Sequence, residues 1–64
     1  MVEWVFIDEE GTERGTSEEF ATQSEAEAWF GAAWGSLAAD GTASVALRAT
    51  DSGEELYRMS LAAE

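Results

Sequence analysis

Histidine, cysteine and lysine are absent from this chain of 64 residues, which leaves carboxylates and hydroxyls as the groups able to do chemistry. General acid–base work at neutral pH ordinarily draws on His, Lys, Cys or a carboxylate with a raised pKa. Adjacent carboxylates occur at Glu9-Glu10, Glu18-Glu19 and Glu54-Glu55. Sequence neighbours point in different directions, so these pairs read as solvated surface. Ser17, Ser24, Ser36, Ser44, Ser52 and Ser60 have no base to activate them as nucleophiles. Asp8, Glu9, Glu10 and Glu13 offer oxygens to a hard cation, but lack the alternating ligands and sixth-position glycine of a calcium loop. A zinc site has no thiolate or imidazole to use. The expectation is a protein without catalytic residues, metal site or cofactor.

Charge narrows the partners. Fourteen acids against three arginines give a net charge of −11. Such a field repels nucleic acid and anionic lipid and attracts basic protein surfaces. The expected partner is a protein with a basic or apolar surface, or a second copy of this chain, and neither nucleic acid nor a membrane. Glu supplies eleven of the acids, which argues against a salt-adapted composition, where Asp shares the role. No apolar run approaches the ~20 residues that span a bilayer. The opening MVEWVFIDEE lacks the basic start of a signal peptide, so a cytoplasmic location is expected.

One domain over residues 1–64 sits near the lower size limit for a fold without disulfides or metal. Three Trp, three Phe and one Tyr must supply much of its core. The strongest periodic signal is Ser24–Gly41, where Ala26, Trp29, Phe30, Ala33, Trp34 and Leu37 recur at steps of three and one. That spacing builds one face of an α-helix over about 25–40. Ser24 and Glu27 form a capping-box pattern at its start, and Gly41 suits its close. Gly31 and Gly35 lie inside this helix, at a cost of about 1 kcal/mol each relative to alanine. They imply either close approach of a bulky neighbour such as Trp4 or a flat strip on which a partner helix or second subunit docks.

Alternation predicts strands at 2–8 and 42–49, and at 54–61, with a polar strand within 13–20 anchored by Phe20. Glycines 11 and 53 mark the hairpin turns, and residues 62–64 are expected to fray. The order is ββαββ, an α+β fold: a four-stranded antiparallel sheet with one helix packed on one face. Trp4, Phe6, Val45, Leu47, Tyr57 and Met59 then face the helix. Val5, Ile7, Ala46 and Leu56 fall on the far face with Arg48 and Arg58, and Arg14 as a further candidate. An apolar patch rimmed by charge reads as an association surface, so Val5, Ile7, Leu56, Arg48 and Arg58 are the candidate partner-binding residues. The alternative is that the two arginines simply pair with Glu3 and Glu55.

Trp4, Asp8-x-x-Gly11, the helical Ala26-Glu27-Ala28-Trp29-Phe30-Gly31-x-x-Trp34, Val45-x-Leu47 and Tyr57-x-Met59-Ser60-Leu61 together resemble a set of short acidic proteins from high-GC actinobacteria. That group has no assigned activity, so the resemblance implies no functional residue. The sequence thus predicts a small acidic, non-enzymatic interaction module or accessory subunit. The alternative is a DNA mimic that inhibits a basic nucleic-acid-binding protein.

Overall fold

Five elements follow one another: β1 (Val2–Ile7), β2 (Glu13–Thr16), α1 (Gln23–Ala39), β3 (Ser44–Ala49) and β4 (Glu55–Ser60). They are seen in a computed structural model that describes residues 1–61; the expected fraying of 62–64 lies outside the described residues. The strands form one antiparallel sheet in the order β2-β1-β3-β4, the predicted ββαββ arrangement. β1 and β3 pair along their whole length, from Val2 opposite Ala49 to Ile7 opposite Ser44.

The helix-facing residues of the two central strands make the core. Trp4, Val45, Leu47 and Ala26 are each fully buried, with Phe6, Phe20, Trp29, Phe30, Leu37, Tyr57 and Met59 packed around them. The Trp4 indole N–H donates to the Ala26 carbonyl at 2.8 Å, tying β1 to the helix. Its ring lies 5.1 Å from Phe30 and 5.9 Å from Tyr57 between centroids. On the β2 side, Trp29 stacks on Phe6 at 6.2 Å and meets Phe20 at 5.7 Å.

β2 fills only the first half of the span 13–20 within which a polar strand is expected, because a side chain takes over its hydrogen bonding. Ser17 Oγ accepts the Trp4 amide at 2.9 Å while the Ser17 amide donates to the Trp4 carbonyl at 2.8 Å. The chain then leaves the ladder and returns only at Phe20, which bridges Val2. Phe20 is the core anchor expected of it.

The helix begins at Gln23, two residues before its predicted start. Thr22, not Ser24, is the N-cap: its Oγ1 accepts the Glu25 amide at 3.2 Å and its hydroxyl points at the Glu25 carboxylate at 3.4 Å. Thr22-x-x-Glu25 and Ser24-x-x-Glu27 are equivalent local patterns. The Val2–Phe20 bridge, which releases the chain at residue 21, selects the first. At the other end Gly41 adopts φ +94°, its amide donates to the Ala38 carbonyl, and the Thr42 amide donates to Leu37, the paired bonds of a Schellman close. The last turn holds no basic residue of its own. Arg14 supplies one from β2, donating from Nη1 to the Asp40 carbonyl at 3.0 Å, at the negative end of the helix dipole.

Two helical expectations change. Trp34 is 53% exposed rather than part of the buried face. Ala26, Trp29, Phe30, Ala33 and Leu37 already span the width of the contact, and Trp34 lies roughly 80° around the axis from Ala26. The glycines have no bulky neighbour either: a Cβ added at Gly31 or Gly35 meets nothing within 4 Å. Gly35→Ala should therefore stabilise the fold by about 0.5–1 kcal/mol through helix propensity alone. Gly41→Ala should cost about 1–2 kcal/mol, because φ is positive and the new Cβ would sit 3.1 Å from Arg14 Nη1. Thermal melts of the two variants should move in opposite directions; a lower melting temperature for Gly35→Ala would mean that its surroundings are crowded after all.

Candidate functional site

The far face of the sheet is not the open apolar patch that alternation predicts. Val5 and Ile7 are 3% exposed and Ala46 is 2% exposed, forming a second small core of their own. Charged side chains close over them. Arg48 donates to Glu3 from Nε at 3.0 Å and also from Nη2, both to one carboxylate oxygen. Arg58 donates to Glu55 at 2.9 Å. The hydrogen bond to Glu3 is the main influence holding the Arg48 guanidinium still more firmly protonated, with the charges of Glu3 and Glu13 assisting. Only a recess of about 130 Å³ remains among these groups. The long aliphatic stems of arginine and glutamate cover apolar surface while their charged ends stay in water.

Two bulges produce this closure. Between β1 and β2 the register shifts after Phe6, so Ile7 faces Glu13 and Arg14 becomes the extra residue. Between β3 and β4 it shifts after Leu47, so Arg48 faces Glu55 and Leu56 becomes the extra residue. Unbroken alternation would set Arg14 and Leu56 over the far face. Each bulge sets a glutamate there instead. Arg14 is thereby freed to reach the helix end, and Leu56 is 44% exposed without lining the recess. Of the predicted partner-binding residues, Arg48 and Arg58 stand together, Val5 and Ile7 lie beneath charged groups, and Leu56 is displaced.

The acidic turn at residues 8–12 is also self-contained. Asp8 Oδ1 accepts the amides of Glu10 and Thr12 at 2.9 and 3.0 Å, a local turn-forming role. Among the described residues no three carboxylates are grouped to hold a metal ion.

An apolar surface lies instead on the helix. Residues 28–39 carry no charged side chain, and the Ser36 hydroxyl and the indole N–H groups of Trp29 and Trp34 are their only polar side-chain groups. Apart from the inward-facing Trp29, Phe30, Ala33 and Leu37, every residue of this stretch is exposed. A helix apolar all round is ordinarily covered on both sides. Trp34 stands on the flank that also carries Glu27, Gly31 and Ala38, spaced by four, three and four residues. That flank looks towards β4. Tyr57 donates to Glu27 at 3.0 Å at its start, and Ala38 and Leu61 share a shallow recess of about 240 Å³ at its end. Met59 lies between Tyr57 and Leu61 on the same side of β4. No sequence pattern alone marks Trp34, because its spacing fits the inner stripe equally well.

The Glu27–Tyr57 contact should show in the pH dependence of stability. Hydrogen bonds from Gln23, first, and Tyr57, second, hold the Glu27 carboxyl below its ordinary pKa. Burial, then the bond to Glu27, pushes the Tyr57 hydroxyl up. A depressed carboxylate pKa contributes stability above the unfolded value, lost as pH falls through the folded one. The stability gap between the wild-type chain and Tyr57→Phe should thus be present at pH 7 and shrink by about pH 3. Urea titrations at both pH values measure it; an unchanged gap would show that the charged form of Glu27 contributes nothing.

Among the described residues no helix is long and apolar enough to cross a membrane. No protein-family model matches the chain, and comparison with the curated proteins and with the solved structures gave no match.

Proposed function

We propose that this chain is a small acidic interaction module, without catalytic activity, that docks a partner protein on the β4 side of its helix. The supporting observation is Trp34, 53% exposed on a twelve-residue helical stretch free of charge in a chain of net charge −11. Large aromatic side chains on apolar surface are the usual anchors of protein interfaces, and charge depletion marks an interface core. Surface acids elsewhere keep the chain soluble and steer it towards basic surfaces. The sheet face opposite the helix offers less apolar surface for this role, since Val5, Ile7 and Ala46 lie beneath Arg48–Glu3 and Arg58–Glu55. Carboxylates are dispersed over the 8–13 hairpin, residues 18–19, the first helical turns and residues 54–55. That dispersion gives the DNA-mimic alternative only its net charge to stand on.

Trp34→Ser tests the reading. An exposed position should tolerate the change with a stability cost under about 1 kcal/mol. Affinity for a partner captured by the wild-type chain and reconstituted from purified components should fall by at least about tenfold. Equal affinity in a folded variant would remove the helix flank as the docking surface.

A further inference from the structure

We infer that the partner docks as an amphipathic helix lying in the same layer as α1, over the inner face of β4, with a Lys or Arg at each end. This rests on the docking surface proposed above and specifies what occupies it.

The sheet is wider than its helical cover. Among the described residues α1 is the one helix, and it packs over β1, where Trp4 meets Ala26 and Phe30. Its Trp29 leans to the β2 side, against Phe6 and Phe20. A helix is about 10 Å across and strands lie about 4.8 Å apart, so one helix covers about half of a four-stranded sheet. Burial follows that width. Trp4 on β1, and Val45 and Leu47 on β3, are fully buried. Tyr57 and Met59 on β4, and Leu61 just beyond it, face the same core and stay half-buried. Packed helices set their axes about 8–10 Å apart, and β4 lies two strands from β1, a step of about 10 Å. A helix packed beside α1 therefore lies over β4, with Trp34 as its wall and Tyr57, Met59 and Leu61 as its floor. The trough runs from Glu27 and Tyr57 to Ala38 and Leu61, about 16 Å along the helix axis. Beside Trp34 the space over Gly31 is open, which lets a second helix backbone come close. Contact is made through inner-face side chains, so the backbone hydrogen bonding of β4 stays as it is.

Charge decides the ends of the docked helix. Glu27 stands at the Tyr57 end of the trough, and Glu9 borders the recess with Ala38 and Leu61. Arg14 is held by the Asp40 carbonyl, and Arg48 and Arg58 stand on the opposite sheet face. A carboxylate at each end favours a helix with basic ends and disfavours a second copy of this chain, which also carries −11.

Random peptides displayed on phage, selected on the wild-type chain and counter-selected on folded Trp34→Ser, provide the test. The expected consensus has apolar residues three and four apart between Lys or Arg ends. A synthetic peptide of that consensus should lose at least about tenfold in affinity when a central residue becomes Pro, or when its basic ends become Glu. Gly31→Gln enters open space, so the chain stays folded, and its side chain stands where the two helices touch. It should cost the peptide at least about tenfold as well. With the peptide bound, the Met59 methyl should show intermolecular nuclear Overhauser effects to its apolar side chains. A Trp34-dependent consensus of alternating apolar residues, or binding indifferent to Pro, would overturn the helix while leaving the docking surface standing. Unchanged affinity in Gly31→Gln, or a bound peptide that does not touch Met59, would overturn its place over β4. Absence of any Trp34-dependent enrichment would overturn the docking surface itself. A chain that dimerises in solution, and ceases to with Trp34→Ser, would assign the trough to a second copy and overturn the basic partner.

Discussion

Trp4→Ala should leave this chain without a cooperative melt at room temperature. Trp4 is completely buried, its ring meets Phe30 and Tyr57, and its indole N–H holds the Ala26 carbonyl. Truncating a buried Trp to alanine costs about 3–5 kcal/mol. A domain of this size with no disulfide or metal has about 3–5 kcal/mol in total. The loss therefore matches the whole stability. Trp4→Phe separates packing from hydrogen bonding, since it keeps most of the ring and removes the donor. It should remain folded with a deficit of about 1–2 kcal/mol. Far-UV circular dichroism against temperature and urea measures both variants. A cooperative Trp4→Ala melt within a few degrees of the wild-type chain would mean that the core does not depend on the β1–helix tie.

The second large effect concerns the face away from the helix. Val5→Thr with Ile7→Thr should destabilise the chain by about 3 kcal/mol, close to unfolding it. Were these residues exposed, the cost would stay within about 0.5 kcal/mol each. At 3% exposure each new hydroxyl enters the small core with Ala46, and an unpaired buried hydroxyl costs about 1–3 kcal/mol. Ile7 loses hydrocarbon as well. The helix contributes nothing here, because it packs on the opposite face. What shields these residues is the lattice of Arg48, Arg58, Glu13 and Glu55. Chemical denaturation of the double variant gives the value directly. A deficit below about 1 kcal/mol would show that the charged cover opens readily in solution and that Val5 and Ile7 meet water.

This cover also explains how so acidic a chain carries a two-faced sheet with one helix. Two of its three arginines stand on the far face, each bonded to a glutamate, and the third reaches the helix end. Surface ion pairs of this kind, part-buried at Arg48–Glu3 and exposed at Arg58–Glu55, contribute little individually. Their larger effect is steric, since the side-chain stems exclude water from Val5, Ile7 and Ala46. All three arginines are thus engaged in contacts within the fold, away from the helix flank that carries Glu27 and Trp34.

The sequence by itself determined the elements and the phase of most of them. Alternation in Val2–Ile7 and Ser44–Ala49, and the three-and-four spacing of Ala26, Trp29, Phe30, Ala33 and Leu37, are local patterns imposed by backbone geometry. Gly11 and Gly41 were legible as closures because positive φ is a property of the residue itself. The candidate binding site was not legible, and the reason is a count of one residue in each of two ladders. A bulge depends on how two distant strands register, and a single extra residue reverses which side chain faces the core. Only tertiary pairing therefore decided that Glu13 and Glu55, rather than Arg14 and Leu56, stand over Val5 and Ile7. Tertiary packing likewise selected Thr22 over Ser24 as the cap, because the Val2–Phe20 bridge fixes where the chain leaves the sheet. Trp34 belongs to the same class. Its spacing admits it to the inner stripe, but a single sheet is wide enough for only one turn-width of side chains, and the tertiary contact left it facing water.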